Sequence, residues 1–169
     1  SLGGHPHRSP PAIMNSSGSL GHGFPVAAGY ALAKKIRRES GRVFCLIGDG
    51  ETNEGSIWET AMYAEQMKIN NLICLVDENL SQSRAITSTN LPGKFNSFGW
   101  QVAEVDGHNL DEINKAIIQA KSSPDRPRCI IAHTLKGKGL KVMERDFWVW
   151  HHRAPTAEEM IEFHKEIFS

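Results

Sequence analysis

The stretch GDGETNEGSIWETAMYAEQMKINNLICLVDEN runs from Gly48 to Asn79. A Gly-Asp-Gly follows directly on one apolar run, VFCLI, and an Asn closes the next, LICLVDE. Short apolar runs rich in β-branched residues are the signature of strands buried on both faces of a parallel sheet. Residues 43–47 and 72–76 therefore read as strands, with a helix over 56–67 between them. Working outward, 129–132 reads as a third buried strand, while 101–105 alternates more and is expected nearer an edge. Further helices are expected over 25–39 and 110–121, and a last one begins at Thr156, where TAEE is a capping box with Glu159 reaching back to the cap. The alternation of strand and helix predicts an α/β domain, a mostly parallel sheet with helices on both faces and right-handed crossovers. Residues 78–92 form the longest expected loop, functional or mobile.

The chain has 169 residues, 40% of them hydrophobic, enough for one sizeable core. Its 19 basic and 19 acidic residues balance, so charge gives no reason to expect nucleic acid as a partner. No stretch approaches the roughly 20 apolar residues of a membrane span, and the opening SLGGHPHRSP has no signal-peptide core. Cys45, Cys74 and Cys129 each sit inside an apolar run, as buried, reduced thiols do, which points to a cytoplasmic setting. The basic run KKIRRES falls near the end of the first helix, where positive charge complements the macrodipole.

In a parallel sheet the residues just after each strand gather along one edge, where open α/β sheets bind ligands. Asp49 and Asn79 then become neighbours. A carboxylate and an amide oxygen are hard ligands suited to Mg²⁺ or Ca²⁺, and Gly48 and Gly50 leave room for backbone N–H groups to approach a phosphate. The set reads as a clamp for a metal-bound diphosphate. Asp-Gly alone is also ordinary turn chemistry. Its pairing with Asn79 across a full strand–helix–strand unit is what gives it weight.

That pairing resembles the thiamine diphosphate fingerprint, and the surrounding residues are similar to transketolases. GSLGHG (residues 18–23), GDGETNEGSIWE, FGWQVAEVDGHN (98–109), KGKG (136–139) and WHHRAP match family segments in order over nearly the whole chain. The likeness is strongest to the N-terminal subunit of split transketolases, whose diphosphate-binding and pyrimidine-binding domains are separate chains. The resemblance implies that Asp49, Asn79 and the backbone carbonyl of Ser81 bind Mg²⁺, although DENLSQS departs from the usual loop at Ser81. It implies that Gly48 and Gly50 line the diphosphate, that Gly18 and Leu20 lie by the aminopyrimidine, and that Glu54 links cofactor sites across a dimer. For Glu54 the alternative is an acidic residue at a helix start.

His5 in GGHP matches an active-site histidine of the family, and either His151 or His152 matches another: the Trp-His pair favours His151, while His152 has the better spacing to Ala-Pro. Such histidines hold substrate hydroxyls and a developing oxyanion. His7, His22, His108, His133 and His164 are given surface or packing roles, although His22 stands inside GSLGHG. A zinc site from HPH and HH lacks a thiolate or carboxylate partner.

The resemblance also implies what is missing: the pyrimidine-binding domain with its activating glutamate, and a leading helical region with a further histidine. A sheet face left poorly covered and dependence on a partner are expected from this. The expected function is a thiamine diphosphate- and Mg-dependent subunit that moves a two-carbon ketol unit from a ketose phosphate to an aldose. It would be active only with a pyrimidine-domain partner, as a heterotetramer or other oligomer. Two alternatives stay open, the α chain of a 2-oxo acid dehydrogenase and a non-catalytic cofactor-binding module. The small residues Ala27, Ala28, Gly29, Ala31 and Ala33 permit close helix packing, within the domain or at an interface.

Overall fold

A computed structural model describes residues 5–8, 13–84, 86, 89–122, 125–151 and 153–168. Four strands, β1 (Val43–Gly48), β2 (Leu72–Glu78), β3 (Gln101–Asp106) and β4 (Arg128–His133), form one sheet in the order β1-β2-β4-β3, every neighbouring pair parallel. The apolar runs thus become strands as expected, and β3 lies at an edge.

Helices α1 (Gly23–Ile36), α2 (Gly55–Gln66) and α3 (Leu91–Ser97) share a core with Cys45, Ile47, Leu72, Cys74, Val76, Cys129 and Ile131 on one face of the sheet. Helix α4 (Leu110–Ser122) covers the other face, packing Ala116 and Ala120 on Ile73, Val105 and Ile130. Ala27, Ala28 and Ala31 let α1 sit close on this core, whereas Gly29 is exposed with open space beside it. The basic run at the end of α1 has a further use. Lys35 Nζ donates to the carbonyls of Met67, at 3.0 Å, and Lys68, tying α1 to the end of α2.

Helix α3 was not expected: residues 78–92 read as a loop, and Pro92 and Gly93 are poor helix formers. Asn90 takes a left-handed backbone (φ 53°) and its side chain accepts from Gly93 N–H, capping the helix. What holds α3 is tertiary: Leu91 and Phe95 are fully buried, and Phe95 packs on Trp58 and Trp100 at 5.2 and 5.6 Å between centroids. Beyond β4 come α5 (Lys141–Arg145), α6 (Phe147–Trp150) and α7 (Ala157–Phe168). The α7 capping box forms as read: Thr156 N–H donates to Glu159 at 2.8 Å, and Glu159 N–H to the Thr156 hydroxyl at 3.2 Å.

Strands β1 and β2 are joined by a helix on one face, β3 and β4 by a helix on the other. The crevice at the carboxyl ends of β2 and β4 is therefore the switch point of the sheet. On the α4 face, β1 is left open: Leu46 is 71% exposed and Phe44 43%. Among the described residues no helix is long and apolar enough to cross a membrane.

Candidate functional site

Strand β1 ends at Gly48, and the chain turns at once into a 3-10 segment over Asp49–Asn53. Asp49 is 2% exposed. One of its carboxylate oxygens accepts Gly50 N–H at 2.8 Å and the other Leu80 N–H at 2.7 Å, so the ends of β1 and β2 are tied through this one side chain. Leu80 supplies that N–H by adopting φ 59°, a conformation side chains rarely take. Asn79 donates through Nδ2 to Asp77 at 3.0 Å and accepts Ser81 N–H on its amide oxygen at 3.0 Å. Gly48, Asp49, Gly50, Asn79 and Ser81 thus meet at the end of β1 and β2. Among the described residues, no atom outside the adjoining residues lies within 4 Å of where a Cβ would stand on Gly48 or Gly50, so the space beside both backbones is open.

The described residues of the long loop are tied to the turn after β1. Asn53 Nδ2 donates to Gln82 at 2.7 Å and to Ile86 O at 2.9 Å, and Ser81 and Gln82 are buried.

The electrostatics of this edge are unbalanced. Burial pushes the Asp49 carboxyl above its ordinary value; the Leu80 and Gly50 N–H groups pull it back, and the charges of Asp77 and Glu78 push it up again. Lys136, just beyond β4, faces the same carboxylates: burial lowers its ammonium, while Asp77 and Asp49 raise it. Its Nζ stands 2.5 Å from His151 Nδ1. His151, at the end of α6, is thereby brought to this edge, its ring stacked at 6.3 Å on Trp148.

On the opposite flank the loop holding Gly18 and Leu20 is pinned to the same turn. Gly21 N–H donates to Glu51 at 2.9 Å, and the Ser56 hydroxyl to Gly21 O at 2.9 Å. Gly21 must be glycine: at φ 75° an added Cβ would stand 2.6 Å from Glu54 Cβ. His5 Cδ2 lies 3.8 Å from the Cβ position of Gly18, so His5 stands beside the GSLGHG segment. Leu20 is 57% exposed. Glu54 sits at the start of α2, exposed, with no capping hydrogen bond from its side chain. His152 lies outside the described residues.

The family described as the transketolase thiamine diphosphate-binding domain matches residues 1–169. The chain belongs to the transketolase family. Among its relatives, one of the subunits of the apulose-4-phosphate transketolase of Phocaeicola vulgatus is 36% identical over 98% of this chain and 60% of its own length. The 6-deoxy-6-sulfo-D-fructose transketolase subunit SqwG of a Clostridium species is 39% identical over 88% of this chain and 55% of its own. Human transketolase is 38% identical over 99% of this chain and 27% of its own. The crystal structure of Campylobacter jejuni transketolase superposes with a TM-score of 0.81 at 32% identity, covering 96% of this chain and 27% of that one. The transketolase-family chain therefore spans at most three fifths of these relatives.

Two residues of this transketolase domain escaped the sequence reading. Glu51 accepts Gly48 N–H at 3.2 Å on one oxygen and Gly21 N–H on the other, joining the two glycine segments; its place just after GDG, as the third residue of a cap, was the available signal. Lys136 lies in KGKG, which matches the family as a segment with no role given to its lysine. Only the pairing of β2 with β4 brings it to the carboxylates.

Proposed function

We propose that this chain is the diphosphate-anchoring subunit of a thiamine diphosphate- and Mg-dependent ketol transferase, working in the cytoplasm with a pyrimidine-domain partner in a heterotetramer or similar oligomer. The observation that carries the proposal is the convergence of Asp49, Asn79 and Lys136 at the switch point of a sheet whose whole sequence matches the thiamine diphosphate-binding family. The donor set fits the group. Asp49 is a buried carboxylate with Asp77 and Glu78 beside it, a cluster short of positive charge that a divalent cation complements. Although both Asp49 oxygens accept N–H groups, each keeps a second lone pair for a metal.

In this reading Asp49, the Asn79 amide oxygen and the Ser81 carbonyl hold Mg²⁺, Gly48 and Gly50 let backbone N–H groups approach the diphosphate, and Lys136 neutralises it. Asp77 holds the Asn79 Nδ2, and the amide oxygen, which accepts Ser81 N–H, keeps a second lone pair for the metal. Gly18 and Leu20 lie along the aminopyrimidine. His5 and His151 or His152 grip the sugar hydroxyls, and Glu54, exposed and uncapped, reaches toward a second cofactor site. When bound, the cofactor supplies the nucleophilic carbon that carries a two-carbon unit from a ketose phosphate to an aldose. The glutamate that activates it belongs to the partner, so this chain binds and orients.

Asp49→Ala should abolish Mg²⁺-dependent uptake of thiamine diphosphate in titration calorimetry while the far-ultraviolet spectrum stays unchanged. In a coupled ketol-transfer assay, wild-type chain should turn over only when a pyrimidine-domain subunit is added. Undiminished affinity in the variant would end the clamp model, and decarboxylation of pyruvate in place of ketol transfer would favour the 2-oxo acid dehydrogenase alternative.

A further inference from the structure

The turn between β3 and α4, Asp106-Gly107-His108-Asn109, is packed against the segment that follows β4. Gly107 N–H donates to His133 O at 2.8 Å, and an added Cβ on Gly107 would collide with the Thr134 methyl and approach His133 O to 3.0 Å. Only glycine lets the two segments come this close. His108 completes the contact: its own N–H donates to Asp106 at 2.8 Å, and its Nε2 accepts Leu135 N–H at 2.8 Å. Nε2 is the acceptor in this contact and Leu135 N–H the donor. Residues 134–136 are thus held from both sides. Thr134 N–H donates to Glu78 O at 3.1 Å and its hydroxyl to Asp77, while the Leu135 amide is taken by His108. Lys136 is the next residue.

We propose that His108 is a positioning residue: through the Leu135 amide it fixes the segment that presents Lys136 to Asp49, Asp77 and the diphosphate, an inference that rests on the cofactor reading of that edge. A backbone amide needs some partner, and nothing obliges it to be a side chain from another strand–helix turn. Here that partner spans the crevice from β3 to β4, beside the switch point where the ligand binds. Without it the Leu135 N–H turns to water, and a lysine on a two-glycine turn, Gly137 and Gly139, loses its bearing.

The test separates the tether from the ligand. In the ligand-free chain, hydrogen exchange at Leu135 N–H should quicken about tenfold in His108→Ala, the loss of one hydrogen bond. His108→Gln, whose side-chain carbonyl has similar reach, should restore protection. In calorimetry with Mg²⁺ and thiamine diphosphate, His108→Ala should raise Kd about tenfold, with the Gln variant near wild type. In the Lys136→Ala background, His108→Ala should add no further loss, because both act on one contact. Unchanged exchange in His108→Ala overturns the tether; additive losses overturn its route through Lys136. A wild-type chain that takes up no thiamine diphosphate, while exchange behaves as expected, overturns the cofactor reading and leaves the tether standing.

Discussion

Leu80 is a leucine where the backbone asks for glycine. Its φ of 59° turns its N–H onto Asp49, and its side chain is 58% exposed, so little burial offsets a left-handed conformation that costs about 1–2 kcal/mol. Leu80→Gly should stabilise the ligand-free chain by about 1 kcal/mol in urea unfolding, and loosen the loop between Asn79 and Ser81. Destabilisation instead would mean that the exposed side chain holds the loop in a way its burial does not reveal. Glu51 makes the opposite case, with both carboxylate oxygens used by backbone donors from two glycine segments. Glu51→Gln turns an amide N–H₂ toward one of those N–H groups. Hydrogen bonds to charged groups contribute roughly 1.5–3 kcal/mol, so a loss of about 2 kcal/mol is expected, with weaker binding of thiamine diphosphate. Equal stability of the two proteins in a denaturant titration would show that the glycine loop needs no such tie.

At the scale of elements, α7 hangs on its first turn. Glu159 accepts from both Arg153 nitrogens at 2.7 Å and from Thr156 N–H, and these bonds, Arg153 foremost, hold its carboxyl down at about 2. A depressed carboxyl contributes stability above its unfolded value, near 4.3, and loses it as pH falls toward the folded one. Helix α7 should therefore loosen between about pH 4 and pH 2. The Trp150 ring, 3.7 Å from Arg153 and packed on Phe163 at 5.3 Å, reports this through its fluorescence. In Glu159→Gln the acid step should vanish; a step of equal size there would assign it to another group. This capping box was legible because its signal is local, three residues apart. So were the strands, whose apolar runs exceed any turn signal nearby. Helix α3 was not, since Pro92 and Gly93 are poor helix formers and only burial of Leu91 and Phe95 makes it a helix. Asp49 and Asn79 were legible because each directly follows a strand. Lys136 and His108 were not, because their partners depend on β4 inserting between β2 and β3.

The whole molecule is a sheet finished on one side and unfinished on the other. The α1–α3 face is closed by a core running from Phe24 to Ile131, whereas Phe44 and Leu46 meet solvent beside α4. Both glycine segments, Lys136 and His151 converge at one end of this sheet, so the site is assembled from parts as distant in sequence as Gly21 and His151. Its integrity therefore reports on the closed core as a unit. Cys45, Cys74 and Cys129 stand in register across β1, β2 and β4 in the middle of that core. All three are free and buried; burial pushes the Cys45 thiol up to about 12, and Cys74 is raised well above its ordinary value. Cys45 and Cys74, held so far from their thiolate form, are poor nucleophiles, and Cys129 is shielded by burial alone. The row thus acts as a clock for the sheet. At pH 8 an alkylating reagent should modify none of the three in the folded chain, and on partial denaturation all three should react at one common rate, that of opening the sheet. Mass spectrometry would catch the doubly and singly labelled species whose accumulation would show the strands parting one at a time.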